Sequence, residues 1–336
     1  MPSVGCTRKW QEHQGRNKFF FNGRCVSSRQ NLLFMFTFSL LLLVMCMFYI
    51  FCLPFLTIRI GLFVPIFMVI LFLLVISTML RAAFTDPGII PRASAAEISE
   101  YNLIKKMAKT PEERELLNER IVNINGCGVL VKFCITCKIF RPPRSSHCSI
   151  CDNCVLNFDR KHFSFEGLNF KYLDHCPWIG NCVGARNFRH FYLFITFVAV
   201  TSFFAIICIC LHFYLVMAEK DGAFLDSLLD NPIPVVLILP FLASFIGVAM
   251  MIYDHTPLVL KGITSYEDYK CTFDHVKNPF DAGSRSKNFK KALCSPEPMS
   301  FLDKRGKVLP ENPYIYVDYK LLEKLKTKIN NKQNQY

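Results

Sequence analysis

Charge is sparse in this chain. Only 19% of its 336 residues are Asp, Glu, Lys or Arg, below the roughly 25% of ordinary soluble domains. Four runs, residues 31–56, 60–80, 191–217 and 232–253, have no charged residue at all. Uncharged runs of this length exclude a soluble globular architecture, since each can cross about 30 Å of hydrocarbon as a helix. The 33 Phe residues fit the same reading. The first run follows a basic, aromatic lead, which argues for a retained helix rather than a cleaved leader. Positive charge is also scarce in two of the connecting loops, which together hold Arg59 and Lys220 against four acids. By contrast, residues 1–30 carry six Lys/Arg against one acid, 81–190 sixteen against eleven, and 254–336 fifteen against ten. Positive loops stay on the cytosolic side, which places both termini and the central loop there. The net charge of +13 then reads as a basic surface facing membrane lipid, and no nucleic-acid partner is expected. No internal repeat organises the core.

The expected fold class is an α-helical integral membrane protein: four transmembrane helices, with a cytosolic zinc-bound cysteine-rich domain between the second and third. The expected segments are a cytosolic lead (1–30), helices one and two (31–80), a cytosolic loop (81–190) with the cysteine-rich module at about 132–182, helices three and four (191–253), and a cytosolic C-terminal region (254–336). Asp86-Pro87-Gly88 should end the second helix in a turn. Residues 94–122, with Glu112, Glu113, Glu115 and Glu119, show the periodicity of an amphipathic helix or a pair of short ones. The Lys-, Asn- and Gln-rich end, 320–335, has the composition of a flexible tail.

A reducing cytosol excludes a disulfide framework for the sixteen cysteines, eight of which fall within 127–182. Their spacing suits zinc. One assignment takes Cys134, Cys137, His147 and Cys154 for a first ion and Cys148, Cys151, His175 and Cys182 for a second. Four protein ligands close a tetrahedron, so such sites are structural. In so short a segment metal replaces a hydrophobic core, and hairpins and knuckles are expected. Cys46, Cys52, Cys208 and Cys210 read as small buried hydrophobes. Cys6, Cys25, Cys271 and Cys294 lie in the flanks. Of the seven cysteines from Cys134 to Cys182, one thiol, Cys176, is left over. It follows Asp174-His175 and precedes Pro177-Trp178, with Asp159 and two zinc-thiolate shells in reach, which makes it a candidate nucleophile. A cytosolic nucleophile near a bilayer suits a membrane-dissolved substrate such as a fatty acyl thioester.

Longer motifs carry a resemblance. Thr85-Asp86-Pro87-Gly88, Arg141-Pro142-Pro143-Arg144-Ser145-Ser146-His147-Cys148, Pro177-Trp178-Ile179-Gly180-Asn181-Cys182-Val183-Gly184, Thr264-Ser265-Tyr266-Glu267 and Asn278-Pro279-Phe280 resemble motifs of the DHHC protein S-acyltransferases. The lead Thr7-Arg8-Lys9-Trp10 with Gly15-Arg16-Asn17-Lys18-Phe19 resembles the Golgi subgroup that acylates Ras-type proteins. The resemblance implies an endomembrane S-palmitoyltransferase with two structural Zn2+ ions. It also implies palmitoyl-CoA as acyl donor, a Cys176 thioester, and partners that include cytosolic or peripheral membrane proteins with an acceptor Cys and an accessory subunit. His175 would be the zinc-bound His. The rival readings are a catalytically weakened family member serving as a membrane zinc-domain scaffold, a zinc-finger ubiquitin ligase, and a thiol oxidoreductase. The ligase needs a cross-brace with wider central spacing, which is not found. The oxidoreductase needs a free Cys-x-x-Cys, and both such pairs are spent on zinc.

The chain departs from the family at the point of catalysis. The family reads Asp-His-His-Cys; here Phe158-Asp159 is followed by residues 160–174 before His175-Cys176. The first His, the expected base, is missing. Asp174 stands in its place, and a carboxylate is too weak a base to replace imidazole for a thiol. His162, inside the insert, is the one imidazole there that could substitute. Two origins for the insert stand open: a genuine loop, or a retained intron. Arg160 can be encoded CGT, supplying a donor GT, and Leu173-Asp174 can be encoded TTA-GAT, supplying an acceptor AG. Excision between them joins C to AT, a His codon, and restores Phe-Asp-His-His-Cys. Reads of gene and transcript across Asp159–His175 test this: a spliced transcript with a His codon at the junction is expected, and codons lacking GT and AG in these phases rule it out.

Overall fold

The computed structural model describes residues 7–108, 110–157, 163–165, 168–170, 175–219, 224–274 and 276–306. Its helices in chain order are α1 (Leu32–Phe51), α2 (Leu53–Ile60), α3 (Phe63–Phe84), α4 (Ala95–Met107), α5 (Pro111–Leu116), α6 (Phe188–Glu219), α7 (Phe224–Asp230), α8 (Pro232–Lys261), α9 (Ser265–Tyr269) and α10 (Arg285–Leu293). Four of these, α1, α3, α6 and α8, are long and apolar enough to cross a membrane. The cysteine-rich segment lies between the second and third of them, so the chain is a multi-pass membrane protein.

The boundaries differ from the uncharged runs for local reasons. Pro54 sits in the first turn of α2, where its missing N–H costs nothing, and so divides the first run into a long and a short helix. Gly61, at φ +115, turns the chain before α3. At the other end α8 continues through Tyr253 and Pro257 to Lys261, and left-handed Gly262 caps it.

Two apolar clusters fill the bundle. Met45, Phe48, Leu56, Met68, Ile209 and Phe241 make one. Phe34, Val75, Met79, Ile179, Phe191 and Ile195 make the other, at the end that meets the cysteine-rich segment. Arg59 pairs with Glu219, tying α2 to the end of α6 at the opposite end. Cys52 and Cys208 are buried as expected, but Cys46 and Cys210 are exposed on the outer surface of the bundle. A lipid-facing helix surface accepts a small apolar thiol as readily as the interior does.

Residues 94–122 also need correction. A Ser94–Glu97 capping box starts α4 and α5 follows, but Glu119–Ile124 is a strand paired antiparallel with Cys127–Cys134. The turn between them is Asn125-Gly126, at φ +50 and +84. Two consecutive positive φ values make a primed hairpin turn, for which Asn-Gly is the favoured dipeptide. Ile121, Val122 and Ile124 are β-branched and suit a strand.

The turn after α3 is an anchoring point. Asp86 is 2% exposed. Its Oδ1 accepts the N–H groups of Gly88 and Ile89, each at 3.0 Å. Its Oδ2 accepts Arg186 Nη1 at 2.9 Å and the Ser300 hydroxyl, with Lys304 Nζ at 3.7 Å. One carboxylate thus joins the end of α3, the start of α6 and the C-terminal segment. Burial alone would raise its pKa, but Ser300, the two N–H groups and Lys304 together hold it below the usual carboxylate value. A depressed value means that the unfolded chain binds more protons in acid. The contribution to stability is therefore present above about pH 3.9 and lost as pH falls through the folded value. Asp86→Asn should cost about 3 kcal/mol by removing the carboxylate that Arg186 and Lys304 share, which leaves Arg186 only the more distant Glu297 at 3.7 Å. Thermal unfolding in detergent is expected to show a lower Tm at pH 7 and a smaller gap between the two chains in acid; an unchanged Tm at pH 7 rejects the anchoring role.

Candidate functional site

The eight cysteines and histidines proposed as ligands come together in two groups. Cys134, Cys137, His147 and Cys154 form one and Cys148, Cys151, His175 and Cys182 the other, with the donor atoms of each within 4.8 Å of one another. Local geometry explains the division. Ser145–Cys148 pairs antiparallel with Asn153–Leu156, so His147 lies opposite Cys154. Successive side chains of a strand face opposite ways, so adjacent His147 and Cys148 enter different groups. Both Cys-x-x-Cys turns are built alike. The N–H of Cys137 donates to Cys134 Sγ and that of Cys151 to Cys148 Sγ, each at 3.4 Å. The residues just after, Lys138 and Asp152, sit at φ +57 and +55.

The donor sets fit a tetrahedral ion. Sγ···Nδ1 separations are 3.4 Å for Cys137–His147, 3.9 Å for Cys154–His147, 3.4 Å for Cys151–His175 and 3.6 Å for Cys182–His175. A tetrahedron with zinc–ligand bonds of usual length has edges of about 3.6–3.8 Å. The sulfurs of each group also compete for the same protons. Contacts with Cys137 and Cys154 hold the Cys134 thiol far below its usual range, while Cys134 and Cys137 push Cys154 far above it. Contacts with Cys151 and Cys182 likewise lower Cys148, while burial and the sulfurs of Cys148 and Cys151 raise Cys182. A divalent cation would hold all three of each set as thiolates. Both groups could therefore hold metal ions. His147 is further oriented by Asp152, whose Oδ1 is 3.5 Å from Nε2 and which is itself paired with Arg92 at 2.9 Å.

Cys176 stands outside both groups. The two-residue strand His175–Cys176 pairs with Asn181–Cys182, so alternation aims His175 at the second group and Cys176 the other way. The thiol is half-buried and packs on the cluster that includes Phe34, Met79 and Phe191. Burial pushes its pKa up to about 11, against N–H groups of Ile179 and Trp178 that favour the thiolate. Trp178 is 51% exposed beside it. The other expected catalytic residues, Asp159, His162 and Asp174, lie outside the described residues. So does the tail 320–335. Within the insert, Phe163–Phe165 pairs antiparallel with Leu168–Phe170.

Several residues in the quoted motifs, and Asn187 three residues after one of them, have structural roles that sequence reasoning left unassigned. The fully buried Asn181 amide nitrogen is shared among the carbonyls of Val26, Ala83 and Thr85, at 3.2, 3.0 and 3.0 Å. Asn187 donates to Ala82 O and Cys182 O, at 2.9 and 2.8 Å. Together they seat the second group on the end of α3. Gly184 is needed beside them, because a Cβ there would lie 2.3 Å from Pro87 O. Arg144 makes a bidentate pair with Glu267 at 2.8 and 2.7 Å, donates to Gly262 O, and lies 3.8 Å over the Phe280 ring. Thr264 and Glu267 close a capping box at α9. One arginine thus binds the two downstream motifs to the cysteine-rich segment. The legible signal was a set of side chains with paired hydrogen-bonding capacity inside apolar surroundings, which must find partners when buried.

The fold and site define a class: a four-span membrane protein whose loop between spans two and three carries two interleaved Cys3His groups and one spare thiol. A profile of the DHHC palmitoyltransferase family matches residues 130–272. The chain is 36% identical over 318 residues to palmitoyltransferase ZDHHC14 of Homo sapiens, covering 92% of this chain and 62% of that protein. It is 36% identical over 305 residues to ZDHHC18 of Homo sapiens (89% and 74%) and 37% identical over 310 residues to ZDHHC9 of Homo sapiens (90% and 80%). The chain belongs to the DHHC palmitoyltransferase family. It spans somewhat less than two thirds of the length of ZDHHC14.

Metal analysis of the purified full-length chain should give two zinc ions per chain, matching the two groups. Cys154→Ser should remove one and Cys182→Ser the other. Chelation should remove both and unfold the cysteine-rich segment. A full complement of zinc in either variant would reject these ligand sets.

Proposed function

We propose that this protein is an S-acyltransferase that carries a fatty acyl group on Cys176 and passes it to a cysteine of another protein. The observation that carries the reading is the position of Cys176: spared by both Cys3His groups, turned away from them by strand alternation, and seated on an apolar cluster between membrane helices. Zinc in the two groups would hold the hairpins that place this thiol. The Cys176 sulfur, as thiolate, attacks the thioester carbonyl of palmitoyl-CoA. The carbon–sulfur bond to CoA breaks, and the CoA thiolate leaves and takes a proton. The sulfur of an acceptor cysteine then attacks the acyl-enzyme thioester, and the Cys176 thiolate departs. The acyl chain would lie along the apolar cluster. Basic loops and termini on the cytosolic side, an endomembrane setting such as Golgi or endoplasmic reticulum, the segment boundaries set out above, and protein acceptors of Ras type complete the proposal.

Its weak point is the base. A thiol pushed up to about 11 is almost wholly protonated at neutral pH, and the family's first His has no counterpart here. The scaffold reading draws on that same fact. Acyl incorporation from labelled palmitoyl-CoA into the full-length chain separates the two. Hydroxylamine-labile label that Cys176→Ala lacks is expected. Incorporation should rise about tenfold per pH unit across neutrality as thiolate forms. Replacing residues 160–174 by a single His should raise it at neutral pH by at least about 100-fold and flatten the profile. Equal labelling of Cys176→Ala rejects the acyl-carrier role, and no label in either chain leaves the scaffold.

A further inference from the structure

The turn that joins strands Asn17–Phe20 and Cys25–Ser28 is Phe21-Asn22-Gly23-Arg24. Its first three residues hold φ of +50, +55 and +81. An aromatic residue rarely adopts that conformation, and Phe21 does so while 78% exposed. Burial of its ring is therefore not what retains it. The location suggests what does. Phe20 meets the Phe84 ring edge-on at 5.9 Å, and Phe84 meets Phe34, in the first turn of α1, edge-on at 5.8 Å. The turn thus stands at the level where α1 and α3 leave the membrane.

A groove of about 300 Å3 opens beside it, lined by Arg8, Phe21, Asn22, Arg24 and Arg305. The three arginines come from three distant segments: the lead, the turn and the C-terminal region. The Arg8 guanidinium donates to the Arg305 carbonyl at 3.0 Å. Neighbouring acids are already engaged, Asp303 by Lys9 and Asp86 by Arg186 and Lys304. None of the three arginines is paired with a carboxylate among the described residues. Trp10 packs against the turn itself, close enough that a Cβ on Gly23 would lie 2.9 Å from its ring. Three convergent, uncompensated guanidinium groups present forked donors that match phosphate oxygens. An exposed aromatic at the membrane boundary adds an apolar foot that free phosphate could not use.

The geometry points to a binding site for the phosphate headgroup of an anionic lipid, held by Arg8, Arg24 and Arg305 with Phe21 dipping into the leaflet. The site fixes the N-terminal hairpin and the C-terminal segment to the same patch of bilayer, and it is independent of acyl transfer at Cys176.

The test uses the full-length chain in nanodiscs of phosphatidylcholine with a minor share of phosphatidic acid, with lipids retained on the protein counted by native mass spectrometry. Phosphatidic acid should be enriched over its share of the bilayer. Arg24→Gln should lower that enrichment about five-fold and Arg24→Gln with Arg305→Gln about thirty-fold, since each basic residue near an anionic surface contributes a similar increment. Phe21→Ser should weaken lipid retention and leave binding of inorganic phosphate unchanged. Unchanged enrichment in the double variant overturns the site. Inorganic phosphate that binds as well as the lipid and displaces it overturns the lipid source. Zinc content checks that the variants fold, and Arg24→Lys with Arg305→Lys, which keeps charge without the fork, should fall between parent and double variant.

Discussion

Side-chain alternation along two short strands sets the plan of this protein. At His147-Cys148 it sends neighbouring ligands to two different groups. At His175-Cys176 it sends one residue to the second group and the other toward the membrane helices. The period of two is a consequence of backbone pleating and does not depend on a large sheet. A slip of one residue in either hairpin would exchange the faces, taking His175 out of the ligand set and turning Cys176 inward. The groups in turn fix the register, because a tetrahedral donor set tolerates little displacement. Strand register and the geometry of the donor sets thus specify each other, in a segment too short to bury a core that could specify either.

Register alone would leave the cysteine-rich segment free to rotate against the bundle. Buried polar anchors prevent that. Asn181 and Asn187 satisfy carbonyls freed at the end of α3, where a helix has no intrahelical donors left to offer. Asp86 ties the same turn to α6 and the C-terminal segment, and Arg144 ties the hairpins to α9 and the Phe280 loop. Each anchor is costly if half-satisfied and rigid when complete. The outcome is that the Cys176 sulfur is located relative to the apolar cluster by backbone on one side and by four polar anchors on the other.

The sequence made the membrane helices legible because twenty or more uncharged residues have few other uses, and it made the donor sets legible because Cys-x-x-Cys spacing reflects the span of one turn around an ion. Residues 119–122, the end of the stretch 94–122 read as helical, form a strand instead; the Asn125-Gly126 turn and the β-branched residues before it carry the stronger signal. The break at Pro54 was hidden inside a run whose composition is uniform on both sides of it. Cys46 and Cys210 could not be sorted from Cys52 and Cys208, since a lipid-facing surface and a helix interior select the same residue types. For Asn181, Asn187 and Arg144 only the need for partners is legible: what they bond is distant in the chain, and only the folded topology brings those carbonyls and carboxylates to them.

The insert separates two demands that the family's motif normally joins. Folding needs only that His175 reach the second group. Within the insert Phe163–Phe165 pairs with Leu168–Phe170, and the cost of closing a loop grows only with the logarithm of its length. Catalysis needs more, since a base must lie within hydrogen-bond reach of one sulfur, and about 1 Å of misplacement can cost a hundredfold in rate. Metal binding therefore tolerates residues 160–174 far better than proton transfer does. On the acyl-carrier reading proposed above, such a chain keeps both donor sets, the anchors and the Cys176 thiol while lacking the imidazole that would make that thiol reactive at neutral pH. The raised pKa of the Cys176 thiol follows from its burial: an apolar setting disfavours the thiolate, and an imidazole beside the sulfur is what would favour it.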